Sequence, residues 1–345
     1  MSNPDHASLA ANRPGPLLRL LAVREIPILL VLFLIVAVAA SIDPRVVSLD
    51  NAKTILMFIP LLLIVAMGQM IVILTAGIDV SVGSIMGLAG MIVGIYFRDH
   101  PDTQSVLLGC IMATVIGAGL GLFNGGLIAF CAVPPIVATL GTLGVFRGLV
   151  YVVCDNKQIN AYQLPEALDR ICRDGPFGKS SFVPWLVVIA LVVVIATALF
   201  LRYIRLGRDI YALGGNPDAA RLRGIPVKRI TLFVYVMAGA FSGLAGILYA
   251  SKFGTINPAV IGTGFELQVI SAVVVGGVSI FGGSGTVLGV VLGCVLLGTI
   301  STMLTVLGAP EAWQATSYGL IILTAVVFDD LLAAYLNRRS ARAGG

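Results

Sequence analysis

Charged residues are scarce in this chain. Asp, Glu, Lys and Arg make up 11% of its 345 residues, whereas a soluble globular domain contains about 25%. Hydrophobic residues account for 58% of the sequence, and the mean hydropathy is +1.01. This balance excludes an ordinary soluble domain and indicates a membrane protein with several spans.

Histidine and closely spaced cysteines are also scarce. His6 and His100 both lie outside the apolar stretches, and no Cys/Cys or Cys/His spacing typical of a metal site occurs. No Ser/His/Asp set or pair of carboxylates within an apolar stretch suggests catalysis. We therefore expect no enzyme activity, no metal and no other cofactor. Cys154 and Cys172 are both expected on the outer side, where they either pair or remain free thiols.

A nucleotide-binding loop is missing as well. Residues 281–286 read Phe-Gly-Gly-Ser-Gly-Thr, which resembles a phosphate loop only superficially because the GxxxxGK[ST] pattern and its Lys are absent. No basic patch is interleaved with aromatic residues, so nucleic-acid binding is not expected. We therefore expect the chain to carry no ATP-hydrolysing machinery of its own.

Long apolar stretches dominate the rest of the sequence. A membrane helix needs about 20 apolar residues, and ten stretches approach that length, although the third and eighth are short. We predict an all-α, polytopic inner-membrane protein with about ten transmembrane helices, some of them short or broken. The candidate spans are Ile26–Ile42, Ile55–Thr75, Val82–Tyr96, Leu107–Cys131, Ile136–Val153, Phe182–Leu201, Ile230–Ser251, Leu267–Phe281, Thr286–Leu307 and Trp313–Leu332.

The first apolar stretch could be either a retained span or a cleaved signal peptide. Arg13, Arg19 and Arg24 precede it, and Ala37-Val-Ala39 mimics a signal-peptidase site, so a cleaved signal peptide is the alternative. We expect the span to be retained, because later spans would target the protein to the membrane anyway. The predicted division is a cytoplasmic tail over residues 1–25, a transmembrane domain over 26–334 and a second cytoplasmic tail over 335–345.

A basic segment over residues 202–229 separates the sixth and seventh spans. It holds seven Lys or Arg residues against two Asp. With both termini inside, thirteen basic residues lie on the inner side and eight on the outer, as the positive-inside rule requires. Asn216 can cap a helix that begins at Pro217, Asp218 complements its positive end, and Gly224 can close it. We predict a two-turn helix that lies at the cytoplasmic surface and contacts a partner there.

Polar residues within the apolar stretches form a second group of candidates. An acidic side chain near the membrane interior is a functional hypothesis by default, although Asp79 or Ser81 could simply cap the next helix. The other polar residues either line a solute pathway or pack helices together, and Arg147 could instead reach the outer interface. The candidate pathway residues are Asp79, Ser81, Asn124, Thr139, Thr142 and Arg147.

A weak internal repeat accompanies these residues. Gln69–Gly77 aligns without gaps to Gln268–Gly276, and transporters are often built from such repeats. Chance similarity between two apolar segments is the alternative. On the predicted topology the two copies run in the same direction.

Four segments together resemble one known family. Residues 78–84, 135–144, 211–216 and 276–285 are similar, in this order, to permeases of bacterial ATP-binding cassette (ABC) importers of the ribose, xylose, arabinose and rhamnose type. Autoinducer-2 import permeases belong to the same group. The resemblance covers roughly residues 26–332, but it does not fix the sugar. The acidic EAA signature of other importer permeases is not evident.

The resemblance implies a permease subunit that moves a monosaccharide delivered by a periplasmic sugar-binding protein. It also implies a cytoplasmic ABC ATPase and a second permease copy or homologue, embedded with this chain in membrane lipid. The alternatives are a related permease for a nucleoside or branched-chain amino acid, and an ion-coupled carrier that would use Asp79 or Glu266. The candidate ATPase-coupling residues are Gly207, Tyr211, Gly214, Gly215, Asn216, Ala219, Ala220 and Gly224.

Overall fold

The computed structural model describes residues 25–102, 105–310, 312–321 and 323–324. The two predicted tails, apart from Glu25, and the second half of the tenth span lie outside these ranges. The described residues contain helices and no β-strand, with only isolated bridges such as the one between Ile159 and Ile256. The predicted all-α class is confirmed.

The helices follow the predicted spans closely. Within the described residues, eight helices are long and apolar enough to cross a membrane. In chain order the α-helices are α1 (Glu25–Ile42), α2 (Leu49–Leu74), α3 (Val82–Asp99), α4 (Val106–Ala129), α5 (Pro135–Cys154), α6 (Glu166–Arg173), α7 (Trp185–Tyr203), α8 (Arg205–Gly215), α9 (Pro217–Leu222), α10 (Val227–Phe253), α11 (Phe265–Val275) and α12 (Val287–Val306).

The eighth predicted span is the one that differs most. It was expected to reach Phe281, but α11 ends at Val275 after 11 residues. A helix of that length is about 16 Å long, which is half of the hydrocarbon thickness of a bilayer. The chain then turns through Gly277, whose φ of 80° is left-handed. With the helical residues 312–321, the prediction of about ten spans, some short or broken, holds.

Helix α10 lies at the centre of the packing, against α4, α3 and α2. Its contact with α4 is a direct contact between backbones. A Cβ atom on Gly117 would lie 2.2 Å from the Gly239 carbonyl oxygen, and one on Gly243 would lie 2.1 Å from the Ala113 carbonyl oxygen. Only glycine allows this approach, so Gly117, Gly239 and Gly243 serve close packing between α4 and α10.

Helices α2 and α11 end in the same way. Gly77 N–H donates to the Val72 carbonyl and Val278 N–H donates to the Val273 carbonyl, each after a residue with positive φ. This is the Schellman pattern at a helix C-terminus. The geometry pairs Val72 with Val273, so the structural correspondence is shifted by two residues from the alignment of Gln69 with Gln268.

The two cysteines considered for a disulfide are unpaired. Cys154 ends α5 and Cys172 lies on α6, and both are buried and free. They belong to different hydrophobic clusters, Cys172 to the larger one and Cys154 to the smaller. Burial in separate clusters keeps the thiols apart.

Candidate functional site

Two helices, rather than one, form the basic segment between α7 and α10. Sequence reasoning missed α8, which runs from Arg205 to Gly215. The signal was present, because Ile210 and Leu213 are three residues apart and both are buried on one face. The arginines of α8 point away from that face and are exposed. The segment is therefore amphipathic and rests on the body of the protein.

The second helix, α9, agrees with its prediction. Asn216 has an extended backbone, and its Oδ1 accepts a hydrogen bond from Ala219 N–H at 2.9 Å. Pro217 occupies the first turn, and Gly224 follows the helix with a φ of 75°. The cap, the proline and the glycine thus hold the short helix at both ends.

The eight candidate coupling residues divide by burial. Gly215, Asn216, Ala219 and Gly224 are exposed, whereas Gly207, Gly214 and Ala220 are buried and Tyr211 is half-buried. Leu222 lies beside the exposed group with 90% of its surface accessible. We call Gly215, Asn216, Ala219, Leu222 and Gly224 the α8–α9 surface.

The buried face of α8 contacts the C-terminal end of α2 and the loop between α11 and α12. A Cβ atom on Gly214 would lie 1.7 Å from the Leu74 carbonyl oxygen and 2.5 Å from the Gly283 nitrogen. Gly283 N–H also donates to Leu74 O at 2.9 Å, and the Tyr211 hydroxyl donates to Gly285 O at 3.0 Å. Burial raises the pKa of that hydroxyl, so it stays a neutral donor. Residues 281–286, the Gly-rich segment that resembles a phosphate loop only superficially, therefore pack against the buried face of α8.

A buried polar joint over residues 75–81 connects α2 to α3. Asp79 Oδ1 accepts hydrogen bonds from the backbone N–H of Ser81 at 2.8 Å and from its hydroxyl at 2.6 Å. Asn124 Nδ2, from α4, donates to the same hydroxyl at 2.8 Å. All three side chains are fully buried. The structure thus brings together three of the six candidate pathway residues.

Neighbouring helices hold the backbone of this joint. In the orientation that satisfies both groups, the Gln69 amide nitrogen donates to the Asp79 carbonyl at 3.1 Å and its oxygen accepts from Asp79 N–H at 3.2 Å. Thr139 Oγ1, at the start of α5, donates to Pro135 O at 2.9 Å and lies 3.2 Å from Ile78 O. Sequence reasoning missed Gln69, although a Gln in the middle of an apolar span was a visible signal.

The last two candidates lie farther along α5. Thr142 is buried and bonds to the Thr139 carbonyl of its own helix. Arg147 is partly exposed, and its Nη1 donates to the Ile261 carbonyl at 2.7 Å. Glu266, at the start of α11, attracts the Arg147 charge. Five of the six candidates are therefore enclosed in this conformation, and Arg147 alone is accessible.

Two glycines of α3 lie beside Glu266 and Arg147. A Cβ atom on Gly83 would lie 2.4 Å from Glu266 Oε2, and one on Gly87 would lie 3.5 Å from Arg147 Nη1. The glycines are four residues apart and share one face of α3. Because this face carries no side chains at Gly83 and Gly87, Glu266 in the first turn of α11 and Arg147 on α5 can both lie against α3.

Comparison with known proteins identifies the family. The sequence profile described as "Branched-chain amino acid transport system / permease component" matches residues 51–326. An autoinducer 2 import system permease protein LsrC from Yersinia enterocolitica is 37% identical over 91% of this chain and 85% of its own length. Proteins of the same name from Escherichia coli strain HS and Photorhabdus laumondii are 36% and 35% identical, over 92% and 91% of this chain and 90% and 92% of their own lengths. No solved structure matches.

The profile covers most of the chain, and the relatives align over almost its full length. The chain therefore belongs to this permease family, and it is a membrane-spanning permease subunit of an ABC importer, a transport component rather than an enzyme.

Proposed function

We propose that this permease imports a small sugar or sugar-like solute of the autoinducer-2 type. The observation that carries the proposal is its 35–37% identity to autoinducer-2 import permeases over nine-tenths of the chain. The family implies a cytoplasmic ABC ATPase and a periplasmic binding protein as partners. We place the subunit in the bacterial inner membrane, with both termini in the cytoplasm and a second permease copy or homologue beside it in the lipid.

The α8–α9 surface is our proposed docking site for the ATPase. Leu222 is a large apolar side chain with 90% of its surface accessible, and Arg221 and Arg223 flank it. An apolar anchor within a charged rim is typical of protein interfaces. The sequence lacks a nucleotide-binding loop, so the energy of ATP has to enter through such a contact.

The buried face of α8 provides a path from that surface into the membrane domain. Gly214 leaves no space between α8 and the C-terminal end of α2, and Tyr211 bonds to the loop between α11 and α12. Close-packed elements transmit displacement because the interior has little free volume. We expect a movement of α8 to shift the C-terminal end of α2 and the α11–α12 loop together.

The solute route remains a proposal. Arg147 is the accessible member of the candidate set, and we place it at the border of the route. Asp79, Ser81, Asn124, Thr139 and Thr142 are enclosed here, so they can meet solute only in a conformation that separates α5 from the joint. Hydroxyl and amide groups suit a polyhydroxylated solute, because hydrogen bonds to such groups are readily exchanged.

The description of the family favours one alternative solute, a branched-chain amino acid. The deciding experiment reconstitutes the permease with its ATPase and binding protein and measures ATPase stimulation by the binding protein loaded with autoinducer-2, ribose, rhamnose or leucine. We expect autoinducer-2 or a pentose-like sugar to stimulate hydrolysis. Stimulation by leucine alone would overturn the proposed solute, and uptake driven by an ion gradient without ATP would overturn the importer assignment.

A further inference from the structure

Three buried polar atoms around the joint have no hydrogen-bond partner. They are Asp79 Oδ2, Asn124 Oδ1 and Tyr235 Oη, and each side chain is at most 1% exposed. Asp79 and Asn124 both bond to the Ser81 hydroxyl. The Tyr235 hydroxyl lies beside Gly77, because a Cβ atom there would be 2.7 Å from it. Asp79, Ser81 and Asn124 thus form one hydrogen-bonded cluster, with the Tyr235 hydroxyl beside the joint, and buried polar groups rarely remain unpaired.

The cluster contains an acid but no base. Among the described residues, no Lys, Arg or His forms an ion pair with Asp79, and Tyr235 is the titratable group that faces it. A carboxylate without water or a cationic partner is very unfavourable in a protein interior, and the usual outcome is that the group is neutral. Asp79 Oδ1 already accepts two hydrogen bonds, so the proton belongs on Oδ2.

We propose that Asp79 is a neutral carboxylic acid whose Oδ2–H donates to the Asn124 amide oxygen. One proton then removes the uncompensated charge and converts an unpaired acceptor into a donor for another unpaired acceptor. Asp79, Ser81 and Asn124 form a closed ring in which each side chain is bonded to the other two. The ring ties the first turn of α3 to α4, so Asp79 is a positioning residue for the joint.

The position of the ring gives this proton a role in transport, a consequence that rests on the proposed function. Leu74, the last residue of α2, contacts α8, and the joint begins directly after it. Gln69 on α2 and Thr139 on α5 hold the same joint. A neutral ring keeps α3 in register with these helices when α8 moves, whereas a charged Asp79 would draw water into the joint.

Substitution of Asp79 distinguishes a neutral donor from a carboxylate. Asp79→Asn keeps an acceptor at Oδ1 and places an N–H donor where we expect the O–H, so the melting temperature of the variant in detergent should stay within about 3 °C of wild type. Asp79→Ala removes both functions and should lower the melting temperature by about 5 °C or more. An Asp79→Asn variant that is as destabilised as Asp79→Ala would overturn the proposal.

Infrared spectroscopy of the full-length protein tests the proton directly and needs no solute. At neutral pH the wild type should show the C=O stretch of a protonated carboxylic acid, sensitive to D₂O, and Asp79→Asn should abolish it. The control Asp155→Asn changes a carboxylate that is 86% exposed and should leave the band intact. Absence of the band from the wild type would overturn the proposal, and this result stands even if the assigned solute is wrong.

Discussion

At the scale of single residues, neighbouring glycines in one helix have different functions. Gly214 and Gly215 both end α8, and the sequence resemblance placed both in the same coupling segment. The structure separates them, because Gly214 touches the Leu74 carbonyl whereas a Cβ atom on Gly215 would have no atom within 4 Å. Sequence alone could not show this difference, since it depends on the approach of α2, more than a hundred residues away.

Gly214→Ala should therefore impair the protein where Gly215→Ala does not. The added methyl group at position 214 forces α8 away from α2, and overpacking of this kind costs about 1–3 kcal/mol. We expect a lower melting temperature and weaker coupling of transport to ATP hydrolysis for Gly214→Ala. Thermal unfolding in detergent and uptake per ATP hydrolysed measure the two effects. The same melting temperature and the same uptake per ATP for both alanine variants would contradict the close contact between Gly214 and the Leu74 carbonyl.

The polar candidates show the same limit of sequence reasoning. Asp79 and Asn124 are conspicuous in the sequence because polar groups within spans are costly. Asn124 reaches Asp79 through Ser81, which lies 43 positions before Asn124 in the sequence, and nothing in the local pattern reveals this connection. Sequence identified which residues were unusual, and only the packing of α4 against the joint shows that they meet.

At the scale of elements, long apolar helices were predictable and their interruptions were harder to place. The spans α1–α5, α7, α10 and α12 follow from length and hydropathy, and α9 follows from its cap. The end of α11 was placed six residues too late, because apolar residues continue past Gly277 while the backbone has already turned. Helix α8 was missed because Ile210 and Leu213 are the only large apolar side chains that are fully buried on its face.

The α8–α9 surface allows a test of docking at the level of an element. Ala219 is exposed, so Ala219→Arg adds a bulky charge without disturbing the interior, and Gly215→Trp fills the neighbouring open space. Both variants should keep wild-type stability and lose most of the ATPase binding, since a charge in an interface core costs several kcal/mol. Copurification of the ATPase and solute uptake are the readouts.

Ala161→Arg is the matched control for that test. Ala161 is exposed in the loop between α5 and α6, at the end of the molecule that we place outside. The substitution adds the same charge there, and ATPase binding should not change. Normal ATPase binding by both Ala219→Arg and Gly215→Trp would remove the docking assignment.

Capping of α9 gives a second prediction for this element. Asn216→Ala removes the hydrogen bond from Ala219 N–H and should destabilise the helix by about 1 kcal/mol. Hydrogen exchange over residues 217–222 should become faster, while exchange in α10 should not change. Unchanged exchange in α9 would show that packing of Ala220, rather than the cap, holds the helix.

At the scale of the whole molecule, packed helices enclose five of the six candidate pathway residues. Thr139 and Thr142 are enclosed between α5 and the joint, so cysteines there should react with water-soluble thiol reagents only when nucleotide changes the conformation of the complex. Phe33→Cys, at an exposed position in the middle of α1, should stay inert because lipid covers it. Labelling that is absent at both threonine positions in every nucleotide state would assign this face to packing alone.

Above all, we propose that this chain carries a sugar-like solute across the membrane with energy from a separate ATPase. The most direct measurement is uptake of labelled autoinducer-2 into vesicles that contain the permease and ATPase, with binding protein outside and ATP enclosed. We expect accumulation that requires both ATP and binding protein and is lost with Gly215→Trp. Accumulation without ATP, or accumulation of leucine in place of the sugar-like solute, would contradict it.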